Sequence, residues 1–321
     1  MMNDARVLIV STVADVATDH VVKILSDWNV GHHRINTEDF PFKASLTLDY
    51  RDELSPSLDF GKGSRPYDTI WYRRMRSPSL PAEMDTGIYD FCLRENRAAL
   101  LGGLLSQHAR WMSEPGAVWK AEFKPYQLRV AKEVGLRIPK TIISNDPIAI
   151  RQAFEEFGPL VVKPARSGHF VEAGEEFSIF TSMLTRSDLE QLDDAKWAPS
   201  IYQEHIQKRC DVRVTVVGTK LYPAAIHSQT NPEAKVDWRR TSDPDLPHSV
   251  IDLPERLASQ IRSLMARLGL EFGCVDLVLS EQGEYVFLEV NPSGQWLWLD
   301  DQLNFGISEA VAAWLAGRAD V

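Results

Sequence analysis

The chain has 321 residues, of which 44% are hydrophobic and 25% are charged, and its formal net charge is −10. This composition is typical of a globular protein and excludes a disordered or fibrous chain, while the length predicts two or three domains. The excess of acidic residues argues against sequence-independent binding of nucleic acid, which depends on a basic surface.

Cellular location is constrained by the N-terminus and the cysteines. No apolar run approaches the roughly 18 residues that a membrane-spanning helix needs. Residues 1–6 lack the basic segment and the long apolar stretch of a signal peptide. The three cysteines, Cys92, Cys210 and Cys274, are odd in number and widely spaced, unlike a disulfide framework or a zinc site. We therefore expect a reduced, cytoplasmic protein with no membrane partner.

The first third of the sequence alternates strand and helix patterns. Residues 6–10 and 69–72 are apolar runs typical of buried strands, and residues 88–107 predict a long helix. The helix side chains expected to face the core are Phe91, Leu101, Leu104 and Leu105. Alternation of this kind predicts a parallel sheet, and we take residues 1–119 as an N-terminal α/β domain.

A central unit is predicted over residues 120–204. It opens with a helix that has Pro125 at its first position and Gly135 just past its end. A strand pattern at 160–163 follows, and a helix pattern at 187–194 comes later. These elements are expected to form the central subdomain.

A C-terminal unit is predicted over residues 205–321. Two hairpin patterns, at 212–226 and 274–290, flank a helix that ends at Gly269. A last helix is expected at about 308–316. The two hairpins predict an antiparallel sheet that carries the polar residues considered next.

The strongest local indication of chemistry is the sequence Glu289-Val290-Asn291. Side chains alternate along a strand, so Glu289 and Asn291 point the same way, and hairpin pairing brings Asp276 alongside. Two carboxylates and an amide oxygen are ligands that suit Mg²⁺. The alternative is a polar strand end followed by an Asn-Pro turn, although acidic residues inside apolar strands are costly to bury without partners.

Two lysines are candidates for binding phosphate. Lys163 ends an apolar strand and precedes a loop in which the backbone N–H groups of Ser167 and Gly168 would face phosphate oxygens. Lys124 stands just before a helix N-terminus, which favours anions. Taken singly, a surface lysine before a turn and a lysine flanking a helix remain the alternatives.

A strand leading into a linker provides a candidate nucleotide pocket. Backbone groups of Glu204 and His205 would meet an adenine edge, and Ile206 would pack on the purine. Asp211 would accept hydrogen bonds from ribose hydroxyls, with Arg213 projecting into the same cleft. The alternative for Asp211 and Arg213 is an exposed ion pair of little energetic value.

In chain order these residues resemble the nucleotide and metal motifs of the ATP-grasp carboxylate ligases, from about residue 119 to the end. The stretches Ile70-Trp71-Tyr72-Arg73-Arg74, Val236-Asp237-Trp238-Arg239 and 289–298 look like the microviridin-type ligases that make graspetides. Graspetides are ribosomal peptides cross-linked through side-chain esters or amides. The resemblance implies a mixed α/β (α+β) ATP-grasp fold with a Rossmann-like pre-ATP-grasp domain ahead of it.

The resemblance also implies the roles of individual residues. Phosphate binding falls to Lys124, Lys163, Ser167 and Gly168. Nucleoside binding falls to Glu204, His205, Ile206 and Asp211, and magnesium binding to Asp276, Glu289 and Asn291. Arg213 and Arg239 would stabilise the transferred phosphoryl group or the acyl phosphate. ATP and Mg²⁺ are the implied cofactors, and the implied partners are a precursor peptide with a leader segment and a second copy of the chain in a homodimer.

Three functions follow as hypotheses. The first is macrocyclisation, in which Asp or Glu side chains of the peptide are activated and joined to Ser or Thr hydroxyls or Lys amines. The second is a ligase that adds amino acids to a protein tail or a small molecule. The third is a nucleotide-binding regulator without catalysis, which a full set of metal ligands disfavours. The sequence contains no GxSxG motif, consistent with chemistry that needs no enzyme nucleophile.

Overall fold

A computed structural model of the chain describes residues 6–51, 56–61, 63, 66–166, 168–172, 175–241 and 246–318. The N-terminal elements are β1 (Arg6–Ser11), α1 (Val16–Asp27), β2 (Gly31–Asn36), β3 (Thr47–Asp49), β4 (Ser57–Asp59), β5 (Thr69–Tyr72), α2 (Thr86–Leu105), β6 (Arg110–Met112) and α3 (Pro115–Ala121). Strands β2, β1, β5 and β6 form a parallel sheet in that order. The prediction of a parallel sheet is confirmed.

Helices cover both faces of the N-terminal sheet. Alternate residues of β1 point to opposite sides, so Val7 and Ile9 belong to one hydrophobic cluster while Leu8 and Val10 belong to another. The predicted core face of α2 is partly wrong, because Phe91 is 56% exposed whereas Leu104 is fully buried. Phe91 and the buried Leu100 are nine positions apart, about half a turn out of phase at 3.6 residues per turn.

Leu105 is also exposed, by 49%, so its predicted place in the core is wrong as well. It directly follows the buried Leu104 and therefore points to a different side of the helix. Leu101 is half-buried and lines a cavity together with Leu105. The buried face of helix α2 is therefore narrower than the distribution of its apolar residues predicts.

The central elements are α4 (Lys124–Glu133), β7 (Thr141–Ser144), α5 (Pro147–Phe157), β8 (Leu160–Pro164), β9 (His169–Glu172), β10 (Glu175–Ser178), β11 (Ser182–Leu184) and β12 (Ser200–Glu204). Strands β11, β8, β12 and β7 form an antiparallel sheet, and β9 pairs with β10. The helix predicted at 187–194 is a 3₁₀ segment over Asp188–Trp197, with non-helical dihedral angles at Gln191.

The C-terminal elements are β13 (Lys208–Val217), β14 (Lys220–Ile226), β15 (His248–Val250), α6 (Glu255–Leu268), β16 (Phe272–Ser280), β17 (Tyr285–Asn291), α7 (Leu297–Leu303) and α8 (Ile307–Leu315). The sheet order is β15-β14-β13-β16-β17, with antiparallel pairing throughout. Both predicted hairpins are confirmed. Helix α6 ends where Gly269 takes a left-handed conformation (φ +72°), which favours glycine.

The three larger sheets lie within residues 6–112, 141–204 and 208–291. We propose 1–119, 120–204 and 205–321 as the domain limits. Packing crosses these limits, because α8 covers one face of the N-terminal sheet while α4 and α6 pack against the C-terminal sheet. In the described part of the chain, no helix is both long enough and apolar enough to cross a bilayer.

Candidate active site

Two carboxylates, Asp276 and Glu289, lie at the centre of the candidate site. They are direct cross-strand partners on β16 and β17, and Cys274 pairs with Asn291 two residues further along. A β-bulge after Asp276 shifts the register of the pairs that follow. Because facing partners project to the same side of a sheet, both carboxylates line one narrow cavity.

Lys124, the first residue of α4, contacts one of these carboxylates. Its Nζ lies 2.9 Å from Glu289 Oε2 and donates a 3.3 Å hydrogen bond to Pro164 O. The buried side chain of Gln127 fixes α4 against β17, since it donates to Val290 O and accepts from Val290 N–H, both at 2.7 Å. This anchor explains why the start of α4 meets Glu289.

Lys163 approaches the same carboxylate from β8. Its side chain is buried, and burial lowers the pKa of its ammonium group to about 8, although the nearby Glu289 opposes this shift. A cation that has lost part of its hydration interacts strongly with any anion that enters the cavity. The position therefore suits a phosphate-binding lysine.

Arg239 completes the positive surroundings of Glu289. It donates two hydrogen bonds to Asp237, from Nε to Oδ1 at 2.8 Å and from Nη2 to Oδ2 at 2.7 Å, and its Nη1 lies 3.9 Å from Glu289 Oε1. Burial alone would raise the pKa of Glu289, but Lys124, Lys163 and Arg239 together lower it to about 2. Glu289 is therefore ionised at neutral pH.

Arg213 pairs with the other carboxylate. Its Nη1 donates to Asp276 Oδ1 at 3.1 Å and to Oδ2 at 3.3 Å, and its Nη2 donates to Gln295 O at 3.5 Å. Burial raises the pKa of Asp276 to about 6, a larger effect than the lowering by Arg213. The two central carboxylates therefore differ in proton affinity although they face each other.

A single cavity of about 80 Å³ brings most of the predicted site residues together. Its lining includes Lys163, Glu204, His205, Ile206, Asp211, Arg239, Asp276 and Glu289. The residues predicted for adenine and ribose therefore share walls with those predicted for phosphate and metal. Pockets that enclose small molecules usually exceed about 300 Å³, so the cavity in this arrangement of side chains is smaller than a nucleotide needs.

Asp211, the residue predicted for ribose, is already part of a buried network. Its Oδ1 accepts a 2.8 Å hydrogen bond from Lys208 Nζ, and its Oδ2 accepts one of 2.5 Å from Ser228 Oγ. Burial raises the pKa of Asp211, against the lowering by Lys208. A carboxylate has about four acceptor positions, so capacity for a further hydroxyl remains.

Of the predicted site residues that the structure describes, four lie outside the cavity lining. Ser167 is outside the described residues, while Gly168 accepts a 2.8 Å hydrogen bond from Ile179 N–H. Asn291 stands at the exposed end of β17 and accepts a 3.0 Å hydrogen bond from Ser293 N–H. The other two, Lys124 and Arg213, reach the site through the carboxylates that they contact.

Sequence reasoning assigned no role to several residues of this region, including Asp237 and Lys208. It also missed a buried ion pair in which Arg73 Nε lies 3.4 Å from Asp15 Oδ2. Arg73 Nη2 donates a 2.9 Å hydrogen bond to Gly294 O, just beyond the candidate metal ligands. The available indication was a charged residue placed directly after the apolar run of β5.

Comparisons with known proteins identify the family. A profile of the MvdD pre-ATP grasp domain matches residues 6–118, and a comparison with curated protein sequences finds no significant match. The structure of macrocyclase MdnC from Microcystis aeruginosa MRC, bound with precursor peptide MdnA, is 30% identical and covers 97% of this chain and 99% of its own, with a TM-score of 0.86. The chain belongs to this ATP-grasp macrocyclase family.

Two further solved structures support the assignment. A RiPP-associated ATP-grasp ligase from Chryseobacterium gregarium, in complex with ADP and a leader and core peptide, has a TM-score of 0.90 at 28% identity, covering 98% of this chain and 97% of its own. Macrocyclase MdnB from Microcystis aeruginosa MRC has a TM-score of 0.78 at 30% identity, with 97% and 99% covered. The predicted family, the ATP-grasp fold and the pre-ATP-grasp domain are confirmed, and the chain is a ligase.

Proposed function

We propose that this ligase uses ATP to activate Asp or Glu side-chain carboxylates of a ribosomal precursor peptide. The activated group is joined to a Ser or Thr hydroxyl or a Lys amine of the same peptide, which closes an ester or amide ring. The supporting relatives are the macrocyclase bound with its precursor peptide and the ligase in complex with ADP, a leader and a core peptide.

The observation that carries this proposal is the charge arrangement around Asp276 and Glu289. Four cations lie around these two carboxylates, and a third carboxylate, the partner of Arg239, lies beside them. The cations are Lys124, Lys163, Arg213 and Arg239, and the carboxylates are Asp237, Asp276 and Glu289. Cations that are partly removed from water, next to carboxylates that can hold a divalent metal ion, favour a polyanion bound together with its metal ion, such as a nucleoside triphosphate.

Magnesium is the second proposed cofactor, and the donor set fits it. Asp276 and Glu289 supply carboxylate oxygens from adjacent strands, and Asn291 supplies an amide oxygen. Mg²⁺ prefers oxygen ligands and keeps several waters, so one or two carboxylates are enough. In the described residues, no group of three His, Cys, Asp or Glu side chains is placed to hold a metal ion. When bound, Mg²⁺ would neutralise charge on the phosphates.

The remaining chemistry needs no enzyme nucleophile. A peptide carboxylate oxygen bonds to the γ-phosphorus as the bond to ADP breaks, and Lys124 and Lys163 hold the phosphate oxygens. The peptide hydroxyl or amine then attacks the acyl carbon, releases phosphate and loses its proton. Arg213 and Arg239 would stabilise the negative charge that gathers in both steps, because guanidinium groups bind planar oxygen pairs well.

Recognition of a leader segment, the homodimer and the cytoplasmic location stay predictions from the sequence. A basic leader residue would meet the acidic side chains Glu190, Asp193 and Asp194, which are exposed on the 3₁₀ segment. The alternative explanation is that these three acidic residues form a solvent-exposed surface that binds no partner. Neutralising them together would separate the two explanations by the affinity for the leader peptide.

The test is incubation of the protein with ATP, Mg²⁺ and a candidate precursor peptide, a short Asp-, Glu-, Ser- and Thr-rich peptide with a leader segment, followed by mass spectrometry. Ring closure removes one water for each cross-link and releases ADP and phosphate. A gain in mass would favour a ligase that adds a separate molecule. ADP binding without turnover in the presence of the peptide would favour a regulator, and an unchanged peptide mass contradicts macrocyclisation.

A further inference from the structure

A second, larger cavity of about 750 Å³ lies beside the candidate active site. Its walls come mainly from the N-terminal domain, but Arg166 and Ser293 also contribute. Arg166 comes three residues after Lys163, and Ser293 two residues after Asn291. The cavity therefore touches the same two segments that carry the phosphate lysine and the candidate metal ligand, and its size suits a peptide segment rather than an ion.

The cavity is basic in a chain with a net charge of −10. Five arginines line it, against one carboxylate, Glu122. Three of them are already engaged: Arg73 pairs with the buried Asp15, Arg74 Nη2 donates to Ser293 O at 2.9 Å, and Arg166 pairs with Glu122 at 2.6 Å. The other two are Arg76 and Arg97.

Arg76 and Arg97 are the cations that this cavity can offer to a ligand. Both are exposed, and in the part of the chain that the structure describes neither forms an ion pair. The backbone of Arg76 is fixed, because its N–H donates to Thr37 Oγ1 and its carbonyl accepts from the same hydroxyl, both at 2.9 Å. Thr37 itself is buried. The guanidinium of Arg76 thus extends from a rigid support.

Part of the lining is apolar. Leu101 and Leu105 of α2 and Trp119 of α3 lie there, and Trp119 is 57% exposed. Exposed large apolar side chains beside a basic cavity suit a peptide that carries both carboxylates and hydrocarbon side chains. Inorganic phosphate has no hydrocarbon group, and a nucleoside triphosphate has no carboxylate.

We infer that this cavity binds an acidic segment of the peptide substrate, with Arg76 and Arg97 receiving carboxylates that are not being phosphorylated. The inference rests on the proposed function, because it names where the substrate lies beside the reacting side chain. Holding neighbouring carboxylates here would keep them from the phosphate site and would determine which acidic side chain reaches Lys163 and Glu289. Arg76 and Arg97 would then be specificity-determining residues.

The experiment compares Arg76→Gln, Arg97→Gln and the double variant with the wild type. The affinity for a fluorescently labelled precursor peptide is measured directly, and KM for ATP and for the peptide is measured by ADP release. We expect the double variant to weaken peptide binding by about 10-fold, the usual effect of losing charge-assisted hydrogen bonds, while KM for ATP stays unchanged. Arg94→Gln is the matched control, since Arg94 is exposed on α2 outside the cavity.

A second arm identifies the ligand group. Replacing single peptide Asp or Glu residues with Asn or Gln should weaken binding to the wild type at one or two positions. The same replacements should cost nothing further in the double variant, because the interaction is already lost. Independent, additive effects would overturn the inference.

The outcomes separate this inference from the proposed function. Equal peptide affinity in the wild type and the double variant contradicts the inference, even where the wild type closes rings. A rise in KM for ATP alone would assign the cavity to a nucleotide and contradict the inference as well. A wild type that binds the peptide through both arginines but never removes water would contradict the proposed function and support the cavity assignment. Absence of any peptide binding would contradict both.

Discussion

Asp276 and Glu289 face each other across β16 and β17, yet their pKa values move in opposite directions. Burial raises the pKa of Asp276 to about 6, whereas three neighbouring cations lower that of Glu289 to about 2 despite its burial. The difference comes from the neighbours, since Asp276 has one close cationic partner and Glu289 has several. Glu289 therefore stays ionised at pH values at which Asp276 already takes up a proton.

The first prediction concerns Glu289→Gln. The amide keeps the shape of the side chain but removes a charged oxygen ligand and leaves Lys124 and Lys163 without their common partner. We expect turnover to fall by about 100-fold or more, as for other groups that organise transition-state charge. ADP release with the peptide present measures this loss.

Glu281→Gln is the matched control for that experiment, because Glu281 is exposed at the hairpin turn before β17. It should retain wild-type turnover. The melting temperature of Glu289→Gln must be recorded as well, so that unfolding is separated from lost chemistry. A folded Glu289→Gln variant with wild-type turnover would contradict the proposed site.

The second prediction concerns pH and Lys163. Burial lowers the pKa of this ammonium group to about 8, so the group is charged below that pH and neutral above it. We therefore expect ADP affinity to fall as pH rises through about 8. Lys163→Arg should flatten this dependence, because a guanidinium stays protonated.

Calorimetric titration with ADP on both sides of that pH measures the effect without turnover. The magnesium concentration is held constant, so that a change in available metal does not cause the change in affinity. This is possible because magnesium hydroxide forms only at higher pH. The same fall in affinity in the wild type and in Lys163→Arg would assign the titration to another group.

Much of the candidate site was predictable because it depends on local rules. Strand alternation placed Glu289 and Asn291 on one side, and hairpin pairing placed Asp276 opposite Glu289. The exposure of Asn291 at the strand end and the contact between Lys124 and Glu289 were not predicted. Those depend on the end of the sheet and on the packing of α4, which sequence spacing does not contain.

The ion pair of Asp15 and Arg73 shows more clearly which contacts cannot be predicted from the sequence. The two residues come from different loops of the N-terminal sheet, and their contact requires the parallel pairing of β1 with β5. Arg73 also lies against the rings of Trp296 and Phe272, at 4.9 and 5.6 Å from the centroids. No local pattern brings a C-terminal tryptophan to an N-terminal arginine.

The third prediction follows from that pair, because Arg73 and Asp15 are almost fully buried. Asp15→Asn or Arg73→Met leaves one buried charge without its partner, which costs about 3–5 kcal/mol of unfolding free energy. The double variant removes both charges and should be less destabilised than the sum of the two. Urea unfolding of the three variants measures this, and additive losses would show that the pair is not coupled.

The fourth prediction uses the turn after β17, where Gly294 has no room for a side chain. A Cβ at this position would lie 2.4 Å from Cys274 Sγ and 3.0 Å from Arg213 Nη2. Gly294→Ala must therefore displace the turn or Arg213, which pairs with Asp276. We expect turnover to fall by about 10-fold or more, because misplacing a catalytic group by about 1 Å is costly.

Gly102→Ala is the control for this substitution, because a Cβ there meets nothing within 4 Å on α2. It should keep full turnover and gain about 0.5–1 kcal/mol of stability, since alanine loses less backbone entropy in a helix. Turnover and urea unfolding are measured for both variants. If Gly294→Ala matched Gly102→Ala in turnover while remaining folded, the packing of the turn against Arg213 would have no part in the reaction.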